Sequence, residues 1–277
     1  MAYWISVLKP VHWKNKGLLS WKEGDYMDNV SRETSLDINS YINVKNLWFK
    51  DVFPEAEPWA VLAAKYKEAW LLAFIEQKKY IDLKGLELPA VGLVQEDIVL
   101  EHPQAEKSII KAGAIIASKD VVVMPGCKVE AGAYLNGPSI LGPKTMVRHA
   151  AYVRGGVLTG KNCVIGHSTE VKSSIFANDA KAAHFAYVGD SILGNAVNLG
   201  AGTKLSNLKI VTGNIKIKID GGMVDTGLRK FGAIIGDSCQ TGCNAVLNPG
   251  VILSKQSLVY PCVSVKKGLY KSKSLIR

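Results

Sequence analysis

Apolar residues recur every six positions through the middle of this chain. Val123, Val129, Leu135, Leu141, Val147, Val153, Ile165 and Val171 share one register, with only Thr159 polar among them, and the residues between are rich in Gly, Pro, Ala, Asn and Ser. That is the hexapeptide pattern of a parallel β-helix. Three six-residue sides close one coil, and each apolar residue enters a triangular core about 4.8 Å from its equivalent in the next coil. The register then falls on Ala177 and Ala183 and resumes, shifted, at Leu193, Leu199 and Leu205. Ile235, Thr241, Leu247, Leu253, Val259 and Val265 return to it, so the predicted core spans residues 98–266. Gly194, Gly200, Gly236 and Gly242 each follow a register position, where the lack of a Cβ eases the corner between sides.

Residues 1–97 form a second predicted module, which holds all six tryptophans: Trp4, Trp13, Trp21, Trp48, Trp59 and Trp70. Pro58 suits a first helical position, Glu55 and Glu57 lie near the positive end, and Leu62, Tyr66, Trp70 and Phe74 follow helical spacing toward Lys78 and Lys79. A helix over 57–79 is predicted, packed on the first coil to cap an open solenoid end. Within the repeat module, 98–277, residues 207–231 break the period. There Ile215, Ile217 and Ile219 alternate with Lys216 and Lys218 after a turn at Gly213 and Asn214, which predicts a projecting β-hairpin.

With 34 basic and 24 acidic residues, the net charge of +10 favours phosphate-bearing ligands. The lysines are scattered and not interleaved with aromatics, which argues against a nucleic-acid platform. No apolar run approaches the length needed to span a bilayer, and lysines interrupt the N-terminus, so neither membrane insertion nor a signal segment is expected. Five cysteines without CxxC spacing indicate neither a disulfide framework nor a zinc site and fit a reducing, cytoplasmic setting.

The chemistry concentrates in Lys181-Ala-Ala-His184-Phe-Ala-Tyr187-Val-Gly-Asp190, followed by Asn195-Ala-Val-Asn198-Leu-Gly-Ala201-Gly-Thr203. The His-x-x-Tyr unit with an Asn fourteen residues beyond the His resembles the acetyltransferase domain of the bifunctional enzymes that make UDP-N-acetylglucosamine. The similarity covers residues 140–265. Through Thr226-Gly-Leu-Arg-Lys-Phe-Gly, Ile235-Gly-Asp, Gly242 and Pro249-Gly250, it is closest in kind to archaeal-type sugar-1-phosphate nucleotidylyltransferases with an acetyltransferase tail.

The resemblance implies an all-β protein, a left-handed parallel β-helix with an α-helical, Trp-rich N-terminal cap, assembled as a homotrimer. It implies acetyl transfer from acetyl-CoA to the 2-amine of glucosamine 1-phosphate. His184 falls on the family's base, and an imidazole suits proton removal from an ammonium near neutral pH. Arg154 and Lys172 match residues that hold the sugar phosphate, and Tyr187 and Asn198 match sugar-binding positions. Glu170 resembles a glutamate near the site, placed to orient His184. Ala201, Asn207 and Cys243 align with acetyl-CoA contacts, although Leu208 and Cys243 depart from the bacterial enzymes' tyrosine and serine. Lys266, Lys267, Lys271 and Lys273 form a basic C-terminal tail within reach of CoA phosphates. The family's Gly-rich uridylyltransferase loop has no counterpart before residue 98, so a separate uridylyltransferase is expected in the pathway.

Three other readings stand beside this one. A non-catalytic scaffold would bind through the Trp-rich module, and a related acetyltransferase would take another amino-sugar 1-phosphate, such as galactosamine 1-phosphate. His149 and His167, 18 residues apart, stack on one side of the coil and raise a metalloenzyme. No third ligand in His-x4-His spacing accompanies them, and His184 reads as one residue out of their ladder, so no metal is expected.

Overall fold

A computed structural model describes residues 36–89, 91–219 and 222–277, and residues 35–277 form one compact unit. The tryptophans at 4, 13 and 21 lie outside the described residues. The repeat region is a left-handed β-solenoid of about nine turns. In chain order each coil contributes to a first face, a second and a third, as with Ser139–Leu141, Met146–Val147 and Tyr152–Val153. Among the described residues these faces hold nine, ten and nine strands.

On each face the register residue points inward, accompanied in the core by the residue two positions before it, as with Cys127 and Val129 or Ala133 and Leu135. On the first face Val123, Leu141, Thr159, Phe176, Leu193, Ile235 and Leu253 align in register, and all are fully buried. Each such aliphatic side chain contributes roughly 1.5–3 kcal/mol through burial. Thr159 breaks the apolar column, but its hydroxyl accepts from the Gly142 N–H at 2.8 Å and bonds the Thr145 hydroxyl at 2.9 Å. The core threonine is therefore satisfied at a corner instead of being stranded. The register shift is made in two one-residue steps, Val171 to Phe176 and Val188 to Leu193, the first of them a coil earlier than the sequence spacing suggests. Phe176 pairs with Thr159, Ala182 with Ile165 and Val188 with Val171, so this coil closes in 17 residues, and Ala182, not Ala183, faces the core.

The N-terminal end is not closed by the helix. Leu86–Glu87, Gly92–Leu93 and Ile98–Leu100 form a leading coil that runs antiparallel to Val121–Val123, Ile115–Ile116 and Ser108–Ile110. Their backbone groups pair the otherwise open strand edges, and Leu88, Val94 and Leu100 plug the core.

The helix is shorter than predicted, Ala64–Glu76, because Ala63 is extended (φ −57°, ψ 117°) and separates it from a 3-10 turn, Ala60–Leu62. Its buried face is Lys67, Leu71, Phe74 and Ile75, rotated by a residue from the predicted stripe. That face joins a second hydrophobic cluster with Val122, Ile140, Leu158, Ile175, Ile192, Ile234 and Ile252, the outward positions of the first face. The N-terminal segment is thus a strap along the flank of the solenoid. Its path is pinned coil by coil: Lys255 Nζ donates to the Asn39 carbonyl, Asp237 N to Tyr41 O, Asn195 Nδ2 to Asn43 O, Asn178 Nδ2 to Asn46 O and Trp48 Nε1 to Thr159 O.

The predicted hairpin is present as Lys216–Ile219 paired with Gly222–Asp225. It does not project, because Ile215, Ile217 and Ile219 are buried in the same flank cluster. The insertion leaves after Asn207 and rejoins at Phe231, whose N–H donates to the Asn207 carbonyl at 2.9 Å.

Asp237 is the densest pin of the strap, accepting from Asn43 N at 2.8 Å, Asn195 N at 2.7 Å and Asn195 Nδ2 at 2.9 Å. Asp237→Ala should lower stability by about 2–3 kcal/mol in urea unfolding. Hydrogen exchange should accelerate at the Asn43 amide.

Candidate active site

Each coil turns from second to third face through a residue in the left-handed conformation: Ala150 (φ 57°), Ser168 (φ 49°) and Phe185 (φ 51°). The residues just before them, His149, His167 and His184, form one column. His167 and His184 are direct register partners, so His184 is not out of the ladder; the 17-residue coil brings it into line. His149 and His167 rings stack at 5.6 Å and 11°, and His167 meets the Phe185 ring edge-on at 5.2 Å. His149 Nδ1 donates to the Ala131 carbonyl at 2.7 Å and His167 Nδ1 to the His149 carbonyl at 3.0 Å. These bonds fix both tautomers. The His184 ring is exposed and makes no hydrogen bond among the described residues.

The column continues into the next coils. Gly202 N donates to His184 O, and Asn244 N to Ala201 O, which places Ala201 and then Cys243 in line beyond His184. Cys243 is exposed. Buried Cys127, Cys163 and Cys239 contrast with it, their thiols pushed up to about 12, 12 and 11 by burial.

The third face carries the charged candidates. Tyr152, Glu170, Tyr187 and Lys204 form one outward column, and Lys172 stands opposite Gly189 in the next. Arg154 Nη1 donates to Glu170 Oε1 at 2.6 Å, and its guanidinium lies 5.8 Å from the Tyr152 ring centroid. The Glu170 carboxylate is thus engaged by Arg154. Among the described residues no hydrogen bond joins Glu170 to His184.

Where the third face turns to the first, Lys172 Nζ pairs with Asp190 Oδ2 at 3.2 Å. Asp190 also accepts from Asn207 Nδ2, and Asn207 Oδ1 accepts the Tyr187 hydroxyl at 3.2 Å. The phenol crosses over Gly189 to reach Asn207; a Cβ there would lie 2.7 Å from the Tyr187 oxygen. Burial raises the Tyr187 pKa above its ordinary value, with the Glu170 and Asp190 charges adding to the shift. Asn207 is buried with both amide atoms engaged inside the protein, so its side chain is not presented to a cofactor. Asp190, present in the quoted motif, carries no role in the sequence reading; its burial beside a lysine gives it one here.

Asn198 is exposed on the second face, between Lys181 and Gln240. One protomer therefore does not bring Asn198 to Tyr187. Among the described residues no group of three or more His, Cys, Asp or Glu side chains is placed to hold a metal ion, and no helix is long and apolar enough to cross a membrane.

Residues 135–226, which contain this histidine column and the third-face cluster, match the family model described as GMPPB C-terminal domain. A bifunctional sugar-1-phosphate nucleotidylyltransferase/acetyltransferase of Sulfurisphaera tokodaii is 37% identical over 97 residues, 35% of this chain and 24% of the relative. Over that region the chain resembles this bifunctional family. Bifunctional protein GlmU of Methanococcus vannielii is 38% identical over 101 residues, covering 36% of this chain and 24% of the relative. Its namesake from Exiguobacterium sibiricum is 29% identical over 155 residues, 56% of this chain and 26% of the relative. The matches span about a quarter of those relatives' own length.

Gly189→Ala should displace the Tyr187 phenol from Asn207 toward solvent. Since burial is the largest cause of its raised pKa, the Tyr187 titration should move down toward the ordinary tyrosine value. Ultraviolet difference titration with Tyr187→Phe as the blank reads this directly; an unmoved titration would mean that the phenol keeps its place.

Proposed function

We propose that this chain is an acetyl-CoA-dependent N-acetyltransferase whose acceptor is the 2-amine of glucosamine 1-phosphate. The observation that carries the reading is the free, exposed His184 ring on a corner column bordering the face that bears Arg154, Lys172 and Tyr187. The similarity to a bifunctional protein named in part as an acetyltransferase supports the reaction class.

An ammonium has no lone pair, so the acceptor must lose a proton before it attacks a thioester. His184 takes that proton. The amine nitrogen then bonds to the acetyl carbon, the imidazolium gives its proton to the departing CoA sulfur as the carbon–sulfur bond breaks, and the nitrogen, cationic after the attack, loses its second proton to water, so each turnover releases one proton. No covalent enzyme intermediate is required, which leaves Cys243 without a nucleophilic task. Lys172 and Arg154 supply positive charge for the sugar phosphate. Glu170 orients Arg154 in place of His184, and Asn207 fixes the Tyr187 phenol instead of touching CoA. Acetyl-CoA lies along the column from His184 past Ala201 to exposed Cys243, toward Lys266, Lys267, Lys271 and Lys273, which the structure holds in the last coil of the solenoid and not in a free tail.

Asn198 enters this scheme only through a second copy, because it stands on the second face. A homotrimer with the second face of one subunit near the third face of its neighbour supplies it. Light scattering should therefore report a trimer.

The direct test is CoA release from acetyl-CoA with glucosamine 1-phosphate, comparing the intact protein with His184→Ala. Turnover should fall by about 10²–10⁴-fold in the variant while its assembly is unchanged. Galactosamine 1-phosphate serves as the alternative acceptor. No release with either sugar phosphate would overturn the acetyltransferase and favour a binding scaffold.

A further inference from the structure

Lys67 is the feature that the acetyltransferase scheme does not use. It lies on the packed face of the Ala64–Glu76 helix, one turn before Leu71, with no exposed surface. Its Nζ is the one buried side-chain polar atom among the described residues without a hydrogen-bond partner. Burying an ammonium without a partner is costly, so a hydrophobic residue would serve packing better at this position. The charges that act on it are Asp190 and Glu68, which favour its protonated form, and Lys172, which opposes it. Burial outweighs them and lowers its pKa to about 8, which leaves the amine predominantly charged at neutral pH.

Asp190 and Lys172 are the pair at the turn from third to first face. The Asp190 side chain is 6% exposed, and its partner Lys172 is 17% exposed. A carboxylate this buried needs a cation. A phosphate that recruits Lys172 removes that cation and sets a second anion beside Asp190. Among the described residues Lys172 is the one cation ion-paired with Asp190, and the strap brings Lys67 within electrostatic reach of the same carboxylate.

We propose that Lys67 is the counter-ion that releases Lys172 from Asp190, so that Lys172 can engage the phosphate of the sugar substrate. This rests on the reading of Lys172 as a phosphate ligand. Lys67 touches neither substrate nor reacting atoms. It is a positioning residue that acts through Asp190, and it makes the N-terminal strap a working part of the site. Without Lys67, Lys172 stays committed to Asp190 and the phosphate is held more weakly.

Calorimetric titration of glucosamine 1-phosphate into the intact protein tests this, with inorganic phosphate as a second probe. The variants are Lys67→Met, Lys67→Gln, Lys172→Met, Asp190→Asn and the double Lys67→Met/Asp190→Asn. Lys172→Met should weaken binding, and Lys67→Met should weaken it about ten-fold. With Asp190→Asn in place, Lys67→Met should have no further effect, because no carboxylate remains to be balanced; a purely structural role would not show this dependence. Lys67→Met should also melt above wild type at pH 7, which separates lost binding from lost fold, and Lys67→Gln provides the second uncharged variant. Unchanged affinity in both Lys67 variants beside a weakened Lys172→Met overturns the role of Lys67 alone. So does a Lys67→Met effect that persists undiminished with Asp190→Asn. Lys172→Met that binds like wild type, or wild type that binds neither probe, overturns the reading of the anion site and the proposal with it.

Discussion

Everything in this molecule hangs on the inward columns of each face and on the hydrogen bonds that stack them in register. A slip of one residue on any face would turn core side chains outward, so length changes are confined to corners. The turn from third to first face absorbs them. Val153 to Thr159 takes six positions, but Val171 to Phe176 and Val188 to Leu193 take five, and between Leu205 and Ile235 the same turn accepts the whole hairpin insertion. This variable corner is also where Lys172, Asp190 and Asn207 meet.

That economy explains why His184 stands where it does. An 18-residue coil would carry the position after His167 to Phe185, and the shorter coil instead sets His184 beneath His167. The same shift leaves Phe185 in the left-handed corner position, where its ring packs against His167. His149 and His167 each have a ring nitrogen tied to a backbone carbonyl, whereas His184 has none. Of the three histidines in the column, only the last has both ring nitrogens clear of hydrogen bonds among the described residues.

The solenoid was legible in the sequence because all the inward register positions but Thr159 and Thr241 are apolar and the spacing is nearly constant. The strap was also written there, in a signal that the six-residue period hides. On the first face the outward positions Val122, Ile140, Leu158, Ile175, Ile192, Ile234 and Ile252 are all aliphatic, whereas the second face shows Lys128, Lys181, Asn198 and Gln240 outward. A strand apolar on both sides is covered on both sides, and the segment with Trp48, Trp59 and Phe74 is what covers it. Lys67 was not legible. Leu62, Tyr66, Trp70 and Phe74 make as good a helical stripe as the buried face does, and lysine is among the last residues to be placed in a core. Of the candidate residues, those adjacent in sequence, such as His184 and Tyr187, also stand near one corner. Asn198 parted from them because fourteen residues along the coil lead onto a different face, whereas Asn207, twenty-three residues on, returns to bond the Tyr187 phenol from a buried turn.

Covering the first face has a consequence for where chemistry can occur. The strap and the hairpin isoleucines occupy that flank along its length, which leaves the second and third faces and the histidine corner between them open. The candidate residues divide along the same line: Asn198 on the second face, His184, Ala201 and Cys243 on the corner, Arg154, Glu170 and Tyr187 on the third. A neighbour that docks against the corner meets all three groups at once, while the strap shields the Lys172–Asp190 turn from behind. The flank that looks purely structural therefore leaves only the second and third faces and their corner open to a partner, and through Lys67 it sets the charge beneath the site from a side that no substrate can reach.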